Sequence, residues 1–289
     1  MAVYSKSGTS QNFAYNKSGA SVPQAYDING NPLLASDPVQ LTVMQYNPGQ
    51  WYYGNGHKIP SNYATIYTNL ARDIMATYEP DVAGFEEYWD PMSDGYSVES
   101  VIGEFFTDKI DDENTNAYKR NAIISNGFPF SDTSFPTIAE YGMIKTKIDV
   151  GGRDVWIIAT HLSNTRATRI QEGQALFNLV SQLPYFIILG DFNIMPMSTE
   201  DEEYALFMKQ FIDAGYHSAN CSTQHGFFWT WYEGLVVEEV GQGGPNDGII
   251  TSGNISIDEV ILDTTKQAVA QQTGKKIDHC PLVAKLTVY

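Results

Sequence analysis

The chain has 289 residues, of which 43% are hydrophobic, so it is long enough for one large domain with a sizeable core and is not disordered throughout. Its 17 Lys and Arg against 34 Asp and Glu give a net charge of −17, which argues against broad electrostatic capture of DNA or of an anionic membrane. No apolar run reaches the ~18 residues of a membrane helix, and the 2 cysteines are too few for a disulfide framework.

The first thirty residues carry a repeat. The segments "VYSKSG", "AYNKSG" and "AYDING" each hold a Tyr and a turn pair, and they recur at a spacing of about eleven residues, too short for a unit with its own core. Two interpretations stay open, a polar arm without fixed structure and a small module for attachment or oligomerisation. We predict residues 1–38 to be this arm with a linker. Since the N-terminus shows no signal peptide, the default expectation is a soluble, cytoplasmic protein.

Residues 39–289 are predicted to form one domain. Strands are predicted at 41–47, 81–87, 121–125, 142–150, 154–162, 185–189, 256–262 and 280–288, and helices at 61–78, 166–182 and 200–213. The many strands with single helices between them indicate an α/β (α+β) fold of mixed sheets covered by helices. The Gly-rich segment "GQGGPNDGII" (241–250) predicts a mobile loop or a turn.

Polar residues gather at the ends of these apolar strands. They are Asn47, Glu86, Glu87, His161, Asp191, Asn193, Asp258, Asp278 and His279. Strand ends that share a sheet can converge on one rim, where α/β active sites usually lie. Carboxylate and amide oxygens suit Mg²⁺ or Mn²⁺, and imidazoles can move protons near neutral pH. The sequence has neither a GxxxxGK[ST] phosphate loop nor a GxSxG nucleophile elbow.

The order of these motifs resembles a known superfamily. The segments "MQYN", "DVAGFEE", "RNAIIS", "THLSN", "LGDFN", "SIDEVIL" and "DHCP", spread over residues 41–289, occur in the order of the endonuclease/exonuclease/phosphatase superfamily. Its members include deoxyribonuclease I, abasic-site endonucleases, bacterial sphingomyelinases and inositol-polyphosphate phosphatases. The resemblance implies a four-layer sandwich, in which two mixed β-sheets lie face to face with helices outside.

The resemblance also implies a metal site. Glu87 matches the metal-binding glutamate, with Asn47 in the surrounding shell and Asp278 as a second ligand. The cation implied is Mg²⁺ or Mn²⁺, and Ca²⁺ is compatible with the same oxygens. Glu86 stands where a glutamine is usual, so we expect a second negative charge there, and which of the two glutamates binds the metal stays open.

The remaining roles follow by position. Asp191 should orient or activate the attacking water, and Asn193 should contact the phosphate. His161 should donate to a phosphate oxygen. His279 should face the scissile phosphate. Two further residues complete the set: Asn164, which with Asn47 and Asn193 belongs to the expected substrate-binding residues, and Asp258, which is expected to orient His279.

The function expected is that of a divalent-metal-dependent phosphoester hydrolase, a phosphodiesterase acting on nucleic acid. Sphingomyelinase or inositol-phosphate phosphatase activity and a non-catalytic binding scaffold are the alternatives. The aromatic segments "FFWTWY" (227–232) and "QWYY" (50–53) would stack a base or grip a lipid, although core packing is the favoured interpretation. For Arg166 and Arg169, three residues apart on a predicted helix, a solvated face is favoured over substrate contact.

Overall fold

The structure is a computed structural model that describes residues 3–4, 10–15, 21–24, 37–48, 61–88, 98–114, 119–196, 198–228, 230–232, 243–264 and 279–289. Its contacts divide the chain into two compact units, 1–39 together with Tyr289, and 40–288. The functional roles predicted for an arm at 1–38 and a domain at 39–289 stay predictions.

Strands dominate the described residues. In chain order they are β1 (Val3–Tyr4), β2 (Ser10–Tyr15), β3 (Ser21–Gln24), β4 (Val39–Tyr46), β5 (Val82–Phe85), β6 (Asp108–Asp111), β7 (Ala122–Ser125), β8 (Ser131–Ser134), β9 (Met143–Asp149), β10 (Asp154–His161), β11 (Phe186–Asp191), β12 (His217–Ser218), β13 (Trp231–Tyr232), β14 (Gly243–Gly244), β15 (Asp247–Thr251), β16 (Ile255–Leu262) and β17 (Leu282–Val288).

The helices are fewer: α1 (Ser61–Tyr78), α2 (Val98–Ile102), α3 (Arg166–Val180) and α4 (Lys209–Asp213). Helix α1 ends where Glu79 takes a left-handed backbone conformation, φ 41°, just before a proline that cannot continue a helix. A π-helical turn at Tyr204–Met208 leads directly into α4, so the helix predicted near 200–213 is present with an irregular first half.

Two six-stranded sheets form the larger unit. The strand order is β12-β15-β11-β10-β9-β8 in the first sheet and β16-β17-β4-β5-β7-β6 in the second. Strands β10 and β11 run parallel in the first sheet, as do β4 and β5 in the second, whereas β9–β10 and β11–β15 are antiparallel. The prediction of mixed sheets is therefore confirmed.

The two sheets face each other closely, and helices cover their outer faces. A Cβ atom added to Gly84 on β5 would lie 2.8 Å from the Cβ of Leu189 on β11, in the other sheet. Helix α1 buries Leu70 and Ile74 against the second sheet, and α3 and α4 pack on the first; strand β11 is accordingly buried on both faces. This arrangement confirms the four-layer sandwich.

The last four residues of the segment predicted as a mobile loop or turn, 241–250, belong to a buried strand. Strand β15 pairs with β11 near the centre of the first sheet, and each of its residues is buried. Gly248 is required by packing, because a Cβ there would lie 2.7 Å from the ring of Phe192. The glycines that predict a loop in the sequence therefore serve close packing at this position.

The repeat-bearing segment contains three short strands. Strands β1, β2 and β3 form a three-stranded antiparallel sheet, with Val3 opposite Gln11 and Phe13 opposite Pro23. The predicted turn pairs between these strands lie outside the described residues. The choice between a polar arm and an attachment module stays open.

Within the described residues, no helix combines the length and apolar character needed to cross a membrane. Cys221 and Cys280 are both buried, and no disulfide joins them.

Candidate active site

Asp191, at the end of β11, is the centre of a buried polar cluster. Its Oδ2 accepts a hydrogen bond from Asn47 Nδ2 at 3.0 Å, and its Oδ1 accepts one from the backbone N–H of Asn193 at 3.0 Å. Two imidazoles approach the same Oδ2, His161 Nε2 at 3.6 Å and His279 Nε2 at 3.7 Å. The structure thus brings four of the predicted site residues together around the carboxylate of a fifth.

Sheet topology explains this convergence. His161 and Asp191 are opposite each other in the parallel pair of β10 and β11, so both lie at the carboxyl end of their strands. Asn47 follows β4, which runs parallel to β5 in the other sheet. The hydrogen bond from Asn47 to Asp191 therefore crosses between the sheets at their common edge, as expected from polar strand ends.

Burial and a neighbouring charge raise the pKa of Asp191. Removal from water raises its pKa above the ordinary value for an aspartate, and the carboxylate of Asp247 raises it further. The positive charge available on His161 and His279 and the hydrogen bond from Asn47 act in the opposite direction. An aspartate with a raised pKa is a better proton acceptor than an exposed one, which suits a group that activates water.

Asp247 orients His279, in the role predicted for Asp258. Strand β15 is antiparallel to β11 and places Asp247 directly opposite Asp191. Asp247 Oδ2 lies 2.8 Å from His279 Nδ1, and its Oδ1 accepts a hydrogen bond from Gln45 Nε2 at 2.8 Å. A fixed partner on Nδ1 holds the imidazole so that Nε2 faces Asp191.

Asp258 is not part of this cluster. It lies exposed on β16, where its carboxylate accepts hydrogen bonds from Ser256 at 2.7 Å and Thr287 at 2.5 Å. The pairing of Asp258 with His279 predicted from "SIDEVIL" is therefore wrong, because side chains on alternate strand positions face opposite ways and Asp258 takes an outer one. In the sequence, Asp247 is the aspartate of "GPNDGII". The glycines and the proline of this segment are typical of a loop, so no strand was predicted there.

The two glutamates after β5 differ in their surroundings. Glu86 is fully buried, and its Oε2 accepts a hydrogen bond from Gln45 Nε2 at 2.8 Å, while its Oε1 is buried without a hydrogen-bond partner. Burial, followed by the charges of Asp247 and Asp191, raises the pKa of Glu86 well above its usual value. The raised pKa works against the second negative charge expected at this position.

Glu87 lies at the rim of the cluster. It is only partly buried, and its backbone is in the left-handed region at φ 49°, an uncommon conformation for a glutamate that is frequent at functional positions. Burial and then nearby carboxylates, Glu87 among them, raise the pKa of Tyr141, whose ring lies 4.8 Å from that of His161. The structure thus buries Glu86 and leaves Glu87 partly exposed.

The donor set suits a hard cation. Most of the potential ligand atoms in the cluster are oxygens. Glu86 Oε1 is buried without a hydrogen-bond partner, so it could accept a further interaction. One ligand atom each from Asp191, Asp247 and His279 lie within 4.8 Å of one another. Because Asp247 and His279 already bond to each other, this trio is better suited to proton handling than to closing around a metal.

Asn193 and Asn164 occupy two adjoining loops. Asn193 has a left-handed backbone, φ 52°, and its Nδ2 donates to the carbonyl of Leu162 at 2.9 Å, which ties the loop after β11 to the loop after β10. Asn164 is exposed, its backbone N–H donates to the hydroxyl of Tyr141, and its carbonyl accepts from Arg169 at 2.8 Å. The side chain of Asn164 therefore faces solvent beside the pocket.

Sequence reasoning missed the buried ion pair behind these loops. Arg169 is 7% exposed, and its guanidinium donates to Glu203 Oε1 at 2.6 Å as well as to the carbonyls of Ser163 and Asn164. Glu203 Oε2 in turn accepts the backbone N–H of Met195 at 2.8 Å. The solvated face favoured for Arg169 is thus incorrect: this arginine connects the loop after β10 to the loop after β11.

Its helical neighbour Arg166 matches the solvated interpretation better. It is exposed and pairs with Glu202 at 2.8 Å. Together with Arg169, Met195 and three acids it lines an open pocket of about 410 Å³ next to the site.

Several predicted features lie outside the described residues. Asp278 and the segment 50–53 belong to this group, as does one tryptophan of 227–232. Within that last segment, Phe227 packs against Tyr204 at a ring distance of 6.0 Å and adjoins the core of the first sheet, in agreement with core packing.

The fold is shared with several solved structures. An endonuclease/exonuclease/phosphatase from Bacteroides vulgatus aligns with a TM-score of 0.63 at 12% identity, over 87% of this chain and 100% of that chain. TDP2 from D. rerio aligns with a TM-score of 0.62 at 12% identity, over 86% and 98%. The human nocturnin catalytic domain gives 0.59 at 17% identity, over 86% and 96%. No protein-family model and no curated protein sequence matches the chain.

These likenesses confirm the expected fold. The chain has the fold of the endonuclease/exonuclease/phosphatase, deoxyribonuclease I-like proteins. At these identities the likeness concerns the fold, and the chemistry has to be argued from the site itself.

Proposed function

We propose that the protein is a divalent-metal-dependent phosphodiesterase acting on nucleic acid. The observation that carries the proposal is the buried Asp191 carboxylate, approached by two imidazoles and hydrogen-bonded to an amide at the rim where both sheets meet. Hydrolysis of a phosphodiester requires a group that orients water and donors that stabilise a negatively charged transition state. The cluster provides both kinds of group, with the two imidazole nitrogens 3.6 and 3.7 Å from the Asp191 carboxylate.

Each residue has a role that its contacts support. Asp191, with its raised pKa, orients the attacking water and accepts its proton. His279, held by Asp247 on Nδ1, presents Nε2 to the phosphoryl group, and His161 donates to another phosphoryl oxygen. Asn193 and Asn164, on the adjoining loops, contact the substrate.

The cation is proposed to be Mg²⁺, with Mn²⁺ or Ca²⁺ as substitutes. Glu87 and Asn47 would hold it, with Asp278 as the further ligand carried over from the resemblance. When bound, such a cation neutralises phosphoryl oxygens and acidifies a coordinated water. Oxygen donors and an acidic pocket fit this group.

Nucleic acid is favoured as the substrate. The structural neighbour TDP2 from D. rerio is complexed with single strand DNA product, and human nocturnin with a bound sulfate anion. A net charge of −17 leaves few contacts to phosphates outside the site, so the affinity for a single strand should fall with salt at a log–log slope of only about two or three. Cleavage of sphingomyelin vesicles without action on DNA or RNA would overturn this substrate assignment.

The decisive test is hydrolysis of bis-p-nitrophenyl phosphate with Mg²⁺ and with EDTA. We expect turnover that EDTA abolishes and that Asp191→Asn lowers at least about 100-fold. Asp213→Asn is the matched control, because Asp213 is an exposed aspartate in α4 that pairs with Lys209. Absence of turnover with every divalent metal would favour the non-catalytic scaffold.

A further inference from the structure

Lys119 has an unusual setting for a lysine in so acidic a chain. Its Nζ lies 5.3 Å from the centre of the Tyr141 ring, and no carboxylate of the described residues forms an ion pair with it. Most other cations that the structure describes do have acidic partners; Lys109 and Arg120, for example, both pair with Asp111. With 34 acidic residues in the chain, a cation without one is available to an external anion.

The ring under Lys119 belongs to the wall of the candidate active site. Tyr141 lies against His161 at 4.8 Å between ring centres, and its hydroxyl accepts the backbone N–H of Asn164. One aromatic ring therefore separates the ammonium of Lys119 from an imidazole that contacts Asp191. A cation over an aromatic face is held in place by the ring quadrupole without losing its charge.

This placement is fixed by buried hydrogen bonds. Asn121 is fully buried, and its Nδ2 donates to the carbonyl of Lys119 at 3.3 Å, to that of Tyr141 at 2.9 Å and to Asp112 Oδ2 at 3.0 Å. Gly142, at φ 102°, allows this close approach, since a Cβ there would lie 2.5 Å from the Asn121 amide. The same buried amide therefore positions the two backbone segments that carry the cation and the ring.

We propose that Lys119, seated on Tyr141, binds a second phosphate that flanks the scissile phosphoester. This inference rests on the proposed phosphodiesterase function and narrows its substrate to molecules that carry at least two phosphates. A nucleic-acid strand supplies such a phosphate next to every scissile one, and a polyphosphorylated small molecule offers the same chemistry. A simple diester such as bis-p-nitrophenyl phosphate has no group for this contact.

Lys145 provides a matched control. Its Nζ lies 3.5 Å from the centre of the Trp156 ring, so it too is a lysine over an aromatic face, and no ion pair joins it to a carboxylate of the described residues. Trp156 lies five residues before His161 on β10, away from the strand end that carries the site. Lys145→Gln therefore removes the same charge from the same kind of contact elsewhere.

The experiment compares Lys119→Gln, Lys119→Arg and Lys145→Gln. The ratio of kcat/KM for a short single-stranded oligonucleotide to that for bis-p-nitrophenyl phosphate should fall about tenfold in Lys119→Gln, and the arginine should largely restore it. Lys145→Gln should keep the wild-type ratio. Equal ratios in wild type and Lys119→Gln would overturn the proposal.

A binding measurement separates this inference from the proposed catalysis. Fluorescence anisotropy of a labelled single-stranded oligonucleotide, titrated with protein in EDTA, should show a log–log salt slope that is smaller by about 0.7 in Lys119→Gln. Competition by inositol trisphosphate, weakened in the variant, would identify the small molecule as the source of the phosphate instead. Unchanged affinity of Lys119→Gln for both ligands overturns the proposal even if turnover fails for other reasons.

Discussion

Replacement of Asp247 by asparagine should disable the enzyme while leaving it folded. Asp247 is buried, its Oδ2 lies 2.8 Å from His279 Nδ1, and its Oδ1 accepts the Gln45 amide at 2.8 Å. Asparagine preserves the shape but removes the charge, and its amide can present a donor where His279 needs an acceptor. The imidazole then adopts the wrong tautomer or turns away from Asp191.

The size of the loss follows from that contact. A hydrogen bond to a charged group contributes about 1.5–3 kcal/mol, which at about 1.4 kcal/mol per factor of ten corresponds to about 10- to 150-fold in rate. Loss of the productive tautomer adds to this, as in the Ser-His-Asp triad, where the same change lowers kcat about 10⁴-fold. We therefore expect kcat of Asp247→Asn to fall between about 10²- and 10⁴-fold, with KM nearly unchanged.

Asp258→Asn is the matched comparison. It makes the same chemical change on an exposed strand position, where the aspartate accepts hydrogen bonds from Ser256 and Thr287. Steady-state hydrolysis of bis-p-nitrophenyl phosphate should show this variant within about twofold of wild type, with circular dichroism verifying the fold of both. A folded Asp247→Asn with wild-type kcat, or an Asp258→Asn that is equally impaired, would refute the assignment.

Three further results are expected. Glu87→Gln should weaken Mg²⁺ binding in calorimetry and lower turnover more than about tenfold, whereas Glu86→Gln, which installs the glutamine usual at that position, should affect both far less; the reverse order would exchange their roles. Gly84→Ala should destabilise the fold by about 1–3 kcal/mol in urea unfolding, because the new Cβ would lie 2.8 Å from that of Leu189; unaltered stability would mean that the sheets separate easily. Deletion of residues 1–38 should leave kcat/KM for bis-p-nitrophenyl phosphate within about twofold, and a folded but inactive truncation would contradict the separate-arm interpretation.

Local pattern was enough to predict most of the framework. Apolar runs such as that of β11 and the regular spacing of α1 and α3 depend on near neighbours in the chain, so element type and approximate bounds could be inferred. Polar residues at strand ends, with their order along the chain, were also enough to nominate Asp191, His161 and His279 and to suggest the superfamily.

Tertiary structure decided which side chains meet. The sequence of strand β15 is typical of a loop because of its glycines. Only the structure shows that the strand is buried and that Gly248 is needed there because Phe192 packs against it. For the same reason the sequence predicted Asp258 as the partner of His279, whereas the structure has Asp247 there. The partner of a carboxylate depends on strand register across the sheet, which local composition does not reveal.

Two further contacts also became visible only in the structure. They are the ion pair of Arg169 with Glu203 and the contact of Lys119 with the Tyr141 ring. The residues of each pair are more than twenty positions apart, and a charged residue in sequence looks equally suited to solvent. By itself the sequence determined the layers of the fold and the kinds of polar side chain that lie at the strand ends. The three-dimensional packing decided the pairing of those groups, because contact energies depend on distances that only the assembled sheets establish.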